Sequence, residues 1–358
     1  MMPKRYVGDY PVTYAGNIEL ILGKLKLERI MCSVGWLSRT QKQQDIRRLM
    51  KFEGCIFLDN GMFQRGSYKK EYDWTDICQY RQKLTDWYAS LQPDIASSLD
   101  VPSYYELSRK EKLARIAWSV LNYGFMRNEL GSIPLVLGSS IYSQRDLDFL
   151  KKCLEKNRVN LEFLGLGGQV PILRSVFNNP QIGKRIMRTL FQMSKSFREI
   201  PLHVYGLGEH RWYLLIRLLG AWSSDYASYT AISGRGKIII PGLRPKFISK
   251  HLHVKTEKGE KYYTRPSSEL FKPHELLLLK NCKCPICKNN DFNKLEERRD
   301  YRIIHNLYVT LCESRLMDEL CEENSDSEMV RHVISRLSYD NGDVKPSLNY
   351  ALKLYTQL

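Results

Sequence analysis

The chain has 358 residues, 43% of them hydrophobic, and carries 55 Lys and Arg against 39 Asp and Glu for a net charge of +16. That apolar share suffices for a sizeable core in one large or two medium domains, and the positive excess favours contact with a polyanion. No stretch approaches the roughly 18 unbroken apolar residues of a membrane span, and the opening MMPKRYVGDYPVTYAG holds no apolar run able to act as a signal peptide.

Short apolar runs recur along the chain, at residues 30–34, 55–58, 94–99, 134–137, 161–165, 202–205, 221–224 and 237–240. Amphipathic, helix-like stretches lie between them, at 109–122, 144–156, 183–197 and 211–219. Alternating strand and helix predicts a parallel sheet, and about eight strands predict a closed (β/α)8 TIM barrel over residues 1–242. A doubly wound open sheet is the alternative, but no Gly-rich dinucleotide fingerprint follows the first run.

Acidic residues close three of these runs: Asp59 after 55–58, Asp100 after 94–99 and Asp225 after 221–224. One such Asp is usually the cap of the following helix. Three at one barrel mouth suit substitution at an anomeric carbon, where one carboxylate attacks and another moves protons. Gly165, Gly167, Gly168, Gly206 and Gly208 sit where a flat ligand can press on backbone, and Phe63 and Tyr205 are placed to sandwich a purine ring.

The regularity ends near residue 241. Residues 243–266 read as a basic loop, with Arg244, Lys246, Lys250, Lys255, Lys258, Lys261 and Arg265 against Glu257 and Glu260, and are expected to grip a nucleic-acid backbone. Cys282, Cys284 and Cys287 then place three thiols within six residues, and His305 on a helix over 296–322 supplies a fourth corner. Three sulfurs and an imidazole make a closed structural zinc site; His274 competes for the fourth place. This zinc-binding subdomain spans 243–310, and 311–358 is expected to pack as C-terminal helices on the barrel. The chain has nine cysteines, an odd number, and Cys32, Cys55, Cys78 and Cys153 stand singly in apolar surroundings. They indicate reduced thiols and a cytoplasmic setting.

Together these pieces resemble the tRNA-guanine transglycosylase superfamily, zinc-bearing (β/α) barrels that exchange guanine for a 7-deazaguanine. The Cys-x-Cys-x2-Cys knuckle followed by His305-Asn306-Leu307 is the most specific match, and Asp59-Asn60-Gly61-Met62-Phe63-Gln64 is similar to the family's Asp-Ser-Gly-Gly-(Phe/Tyr)-Gln. The resemblance implies that Asp225 is the nucleophile and Asp59 the acid/base, with Asp100 reading the purine edge. It also implies that Phe63, Gln64, Gly167, Gly168, Tyr205 and Gly206 line the base pocket.

Two departures stand out. Leu137-Gly138-Ser139-Ser140 replaces the family's Val-Gln-Gly-Gly, so Ser139 is the candidate substitute for a glutamine that contacts the base. Tyr226-Ala227-Ser228-Tyr229-Thr230 replaces the family's Leu-Pro-Thr-Arg, a region that helps hold the polynucleotide. A changed grip beside an intact catalytic set points to the DNA-acting branch, with 7-cyano-7-deazaguanine as the free base. The alternatives are the same exchange on tRNA and a non-catalytic, zinc-stabilised nucleic-acid-binding partner. A zinc hydrolase is disfavoured by a metal site with no open position. A homodimer, or helper proteins that open the duplex, are further expected partners, and no membrane is.

Overall fold

In the computed structural model, residues 8–12, 15–62, 73–103, 106–169, 180–208, 210–256, 259–289, 293–323, 326–338 and 344–357 are described. Eight short strands form one sheet, in the order β1 (Gly8–Pro11), β8 (Ser223–Tyr226), β7 (Leu202–Val204), β6 (Phe163–Gly167), β5 (Leu135–Ser140), β4 (Ile95–Ser97), β3 (Cys55–Asp59) and β2 (Arg29–Ser33). Every pairing is parallel. A parallel bridge between Val12 and Met31 joins the first strand to the second and closes the ring. The protein is a (β/α)8 TIM barrel.

Helices follow the strands because their starts are capped by side chains. Asp73 accepts from the Thr75 N–H ahead of Trp74–Leu91, and Ser143 accepts from the Asp146 N–H ahead of Gln144–Lys156. Ser108 and Glu111 form a reciprocal capping box ahead of Arg109–Leu130.

Side-chain alternation along each strand separates two cores. One parity, including Ile30, Ile56, Leu58, Leu135, Leu137, Leu164 and Val204, packs under the helices. The other fills the barrel with Tyr10, Met31, Cys55, Phe57, Ile95, Val136 and Phe163. Above that apolar plug the inward positions turn polar, and the mouth begins.

The expected strand at 237–240 is not part of the barrel. Ile238, Ile239 and Ile240 are buried, but Ile238 makes only an isolated antiparallel bridge to Lys246. The Ile239 N–H donates to Asn306 Oδ1 at 2.8 Å, and its carbonyl accepts from His305 Nε2 at 2.9 Å. The true eighth strand is β1, whose Gly8-Asp9-Tyr10-Pro11 offers one apolar side chain facing the interior and so carries no apolar run.

Residues 243–266 also depart from a plain loop, since His251–Thr256 and Gly259–Thr264 pair as an antiparallel hairpin. The helix Arg299–Glu322 runs unbroken past residue 310, so the zinc-bearing segment and the C-terminal helices share one element. That helix is tied to the barrel by Asn306, whose side chain also reaches Ser233 Oγ, and by Arg302, which donates to the carbonyls of Ser233, Leu295 and Glu296. Among the described residues, no helix is long and apolar enough to cross a membrane.

Candidate active site

All eight strands are parallel, so their C-terminal ends open on one mouth, and Asp59, Asp100 and Asp225 meet there. Asp59 ends β3. Its Oδ2 accepts from Ser33 Oγ at 3.1 Å and from the Gly61 N–H at 3.0 Å. Burial pushes its carboxyl up to about 7, helped by the charges of Asp100 and Asp225 and opposed by those two donors. Asp100 stands just beyond β4, where its Oδ1 accepts from Asn60 Nδ2 at 2.7 Å. Burial raises its carboxyl too, and the Asn60 bond pulls the other way. Asn60 is a hub: it also donates to the Ser98 carbonyl, accepts from the Met62 N–H, and takes the Tyr80 hydroxyl on its own carbonyl.

Asp225 lies within β8. Its Oδ1 accepts from the Gly206 N–H at 2.8 Å and contacts His203 Nε2 at 3.2 Å. Gly206 has φ of 74°, a left-handed conformation that turns its N–H onto the carboxylate and that glycine adopts without strain.

Tyr205 leaves β7 and lies inside the barrel, its hydroxyl 2.7 Å from Ser97 Oγ on β4. A Cβ on Gly165 would stand 2.5 Å from the Tyr205 ring, so glycine there makes room for it. Burial holds the Tyr205 phenol well above its ordinary range, and all three carboxylates add to that. It is therefore a neutral ring forming a floor beneath the acids. Gly167 and Gly168 end β6 at the same mouth, and the Gly168 carbonyl accepts from the Tyr142 hydroxyl at 3.3 Å. Phe63 and Gln64 lie outside the described residues.

One expectation needs correction. Ser139 shares the outward parity of Leu135 and Leu137 and is buried on the helix side of β5, with no partner for its Oγ among the described residues. The inward residues of that strand are Val136, Gly138 and Ser140; a Cβ on Gly138 would stand 3.1 Å from that of Asp100. Asp100 and Tyr205 thus border the place of the family's glutamine. In the segment after Asp225, Ala227 is exposed and Ser228 and Thr230 are half-buried. Tyr226 and Tyr229 are buried edge to face, and the Tyr229 hydroxyl donates to the Val12 carbonyl.

The basic stretch divides. Lys246 is spent on Glu275, with both carboxylate oxygens within 2.9 Å, and Arg265 is buried against the Phe247 ring and donates to the Ser249 carbonyl. Arg244 and Lys250 are exposed, while the Lys255 side chain lies outside the description. Ser33, Asn60, Ser97 and His203 also support the site, beyond the candidate residues named from the sequence. In His203-Val204-Tyr205 the period-2 alternation of a strand puts His203 on the same face as Tyr205, a signal readable in the sequence.

Cys282, Cys284, Cys287 and His305 form a second cluster, their ligand atoms all within 4.8 Å of one another. His305 Nδ1 stands 3.7, 3.4 and 3.3 Å from the three sulfurs in that order. Sulfur and nitrogen ligands of one tetrahedral zinc lie about 3.5 Å apart, given Zn–S near 2.3 Å and Zn–N near 2.0 Å. His305 is fully buried and gives its Nε2–H to the Ile239 carbonyl, which leaves Nδ1 as a lone pair aimed at the thiols. The set fits a structural zinc ion. His274 is exposed on Pro273–Leu276 and outside the cluster.

No protein-family model matches the chain. It is 24% identical over 334 residues to the tRNA-guanine(15) transglycosylase of Korarchaeum cryptofilum, covering 88% of this chain and 48% of that protein. It is 22% identical to the enzymes of that name from Methanobrevibacter smithii, over 91% of this chain and 43% of theirs, and Methanococcus maripaludis, over 82% and 41%. The chain spans about half the length, or less, of the relatives it matches. Along most of its own residues the chain is similar to tRNA-guanine(15) transglycosylases.

Proposed function

We propose that this protein exchanges guanine in tRNA for a free 7-deazaguanine. The observation that carries the reading is the meeting of Asp59, Asp100 and Asp225 at one barrel mouth, with Asp59 held up to about 7 where it can both give and take a proton near neutrality. Asp225 attacks the anomeric carbon, the bond to guanine breaks, and an aspartyl ester forms while Asp59 protonates the leaving base. The incoming base then attacks the same carbon, the ester breaks, and its proton passes to Asp59, so two displacements restore the original configuration. Asp100 is suited to bind the amide edge that guanine shares with its analogue. DNA is the first expectation from the sequence; the names of the relatives favour tRNA.

Cys282, Cys284, Cys287 and His305 would hold the zinc ion, which supplies structure and no chemistry at the mouth. Exposed Arg244 and Lys250 are offered as phosphate contacts, with the 7-cyano base as the first candidate substrate.

Incubation with labelled guanine and either tRNA or DNA is expected to label tRNA alone, and Asp225→Ala to reduce labelling at least about 1,000-fold. Label in DNA alone would reassign the polymer, and label in neither would leave the non-catalytic partner. The raised Asp59 carboxyl has a stability consequence: the neutral acid is tolerated below its ordinary 3.8, and stability is lost as pH rises towards 7. Asp59→Asn should therefore match the parent Tm at pH 4 and exceed it by about 3 °C at pH 8, despite losing exchange. A gap that narrows with rising pH contradicts this. Finally, elemental analysis should find one zinc per chain, and stripping it should lower Tm by about 10 °C; an unchanged Tm in metal-free protein would deny the ion its structural part.

A further inference from the structure

The mouth also holds an imidazole that the scheme above does not use. His203 lies on β7, buried inside the barrel, with Nδ1 2.9 Å from Ser223 Oγ and Nε2 3.2 Å from Asp225 Oδ1. Its ring is fixed edge-on by Phe57 at 4.8 Å and Tyr205 at 4.6 Å, with Tyr10 at 6.2 Å. A carboxylate accepts, so the hydrogen-bond network assigns the proton to Nε2, and Ser223 then donates its hydroxyl to Nδ1. The Gly206 N–H reaches the same oxygen, Oδ1, at 2.8 Å. Among the described residues nothing donates to Oδ2.

We propose that His203 is a positioning residue: with the Gly206 N–H it ties down Oδ1 of Asp225 and presents Oδ2 as the oxygen that attacks. The inference rests on Asp225 being the nucleophile. A free carboxylate turns easily about Cβ–Cγ, because that torsion is broad. Two donors on one oxygen stop the rotation and leave the lone pairs of the other for the sugar carbon. Ser223 sets the tautomer, since it offers Nδ1 a donor, and the aromatic packing sets the plane of the ring. The arrangement thus runs from β8 through β7 and back to β8, across neighbouring strands paired at His203 and Ser223.

Glutamine and asparagine separate this role from simple packing. A glutamine amide nitrogen can sit near the position of imidazole Nε2, whereas that of asparagine sits near Nδ1. In single-turnover exchange on tRNA, His203→Ala and His203→Asn should each lose about 100-fold in rate with KM for tRNA within about twofold, and His203→Gln should recover most of the loss. Equal rates for the Gln and Asn variants, or a loss confined to KM, would overturn the proposal. NMR of histidine-labelled protein reads the contact without any turnover. The Nε2-protonated signal of His203 should be present in the parent and move in Asp225→Ala, whereas an Nδ1-protonated ring would refute the arrangement. A parent protein that shows the NMR signal but exchanges no base would count against the proposed activity and leave the hydrogen bond standing.

Discussion

The constraint on which the rest depends is electrostatic: three carboxylates are held together at one partly buried mouth. Burying acids side by side is costly, because desolvation and mutual repulsion both oppose the charged forms. Each acid is therefore given its own donors. Asp59 has Ser33 and the Gly61 N–H, Asp100 has Asn60, and Asp225 has the Gly206 N–H and His203. These supports come from β2, the turn after β3, β7 and the turn after it, so the site exists only when the barrel is closed. Burial, with the charges of Asp100 and Asp225 added, leaves Asp59 displaced to about 7, which suits it to the proposed proton transfer.

The C-terminal region serves the same end from a distance. The strand-like 237–240 segment passes beneath Arg299–Glu322, where His305 and Asn306 satisfy the Ile239 backbone. The opposite nitrogen of that histidine faces three thiols, so a single side chain joins the metal cluster to the segment that follows the last barrel helix. Arg302 and Asn306 carry the link on to Ser233, in the helix directly after Asp225 and β8. Zinc is thus well placed to stiffen the barrel near its closing strands without entering the mouth.

How much of this was legible in the sequence follows from what each element needs. Seven of the eight apolar runs became barrel strands because a parallel strand covered by helices must be apolar on the packed side. The run at 237–240 misled because a segment buried under a helix by side-chain hydrogen bonds has the same apolar composition. β1 was invisible because a four-residue strand with one inward tyrosine has too few apolar positions to register. The three aspartates and the zinc ligands were readable, since strand ends and cysteine spacing are local signals. Ser139 was misplaced by one residue, and in a strand one residue reverses the face. His203 was missed because its meaning is a contact across strands, with Asp225 twenty-two positions away.

Mass spectrometry of the trapped enzyme–nucleic acid adduct tests the central claim most directly. Denaturing the protein during turnover on tRNA, digesting it and locating the added sugar should place an ester on the peptide carrying Asp225. A sugar found on the peptide carrying Asp59 or Asp100 would contradict the assignment of roles at the mouth, and so would base exchange that proceeds with no covalent adduct at all.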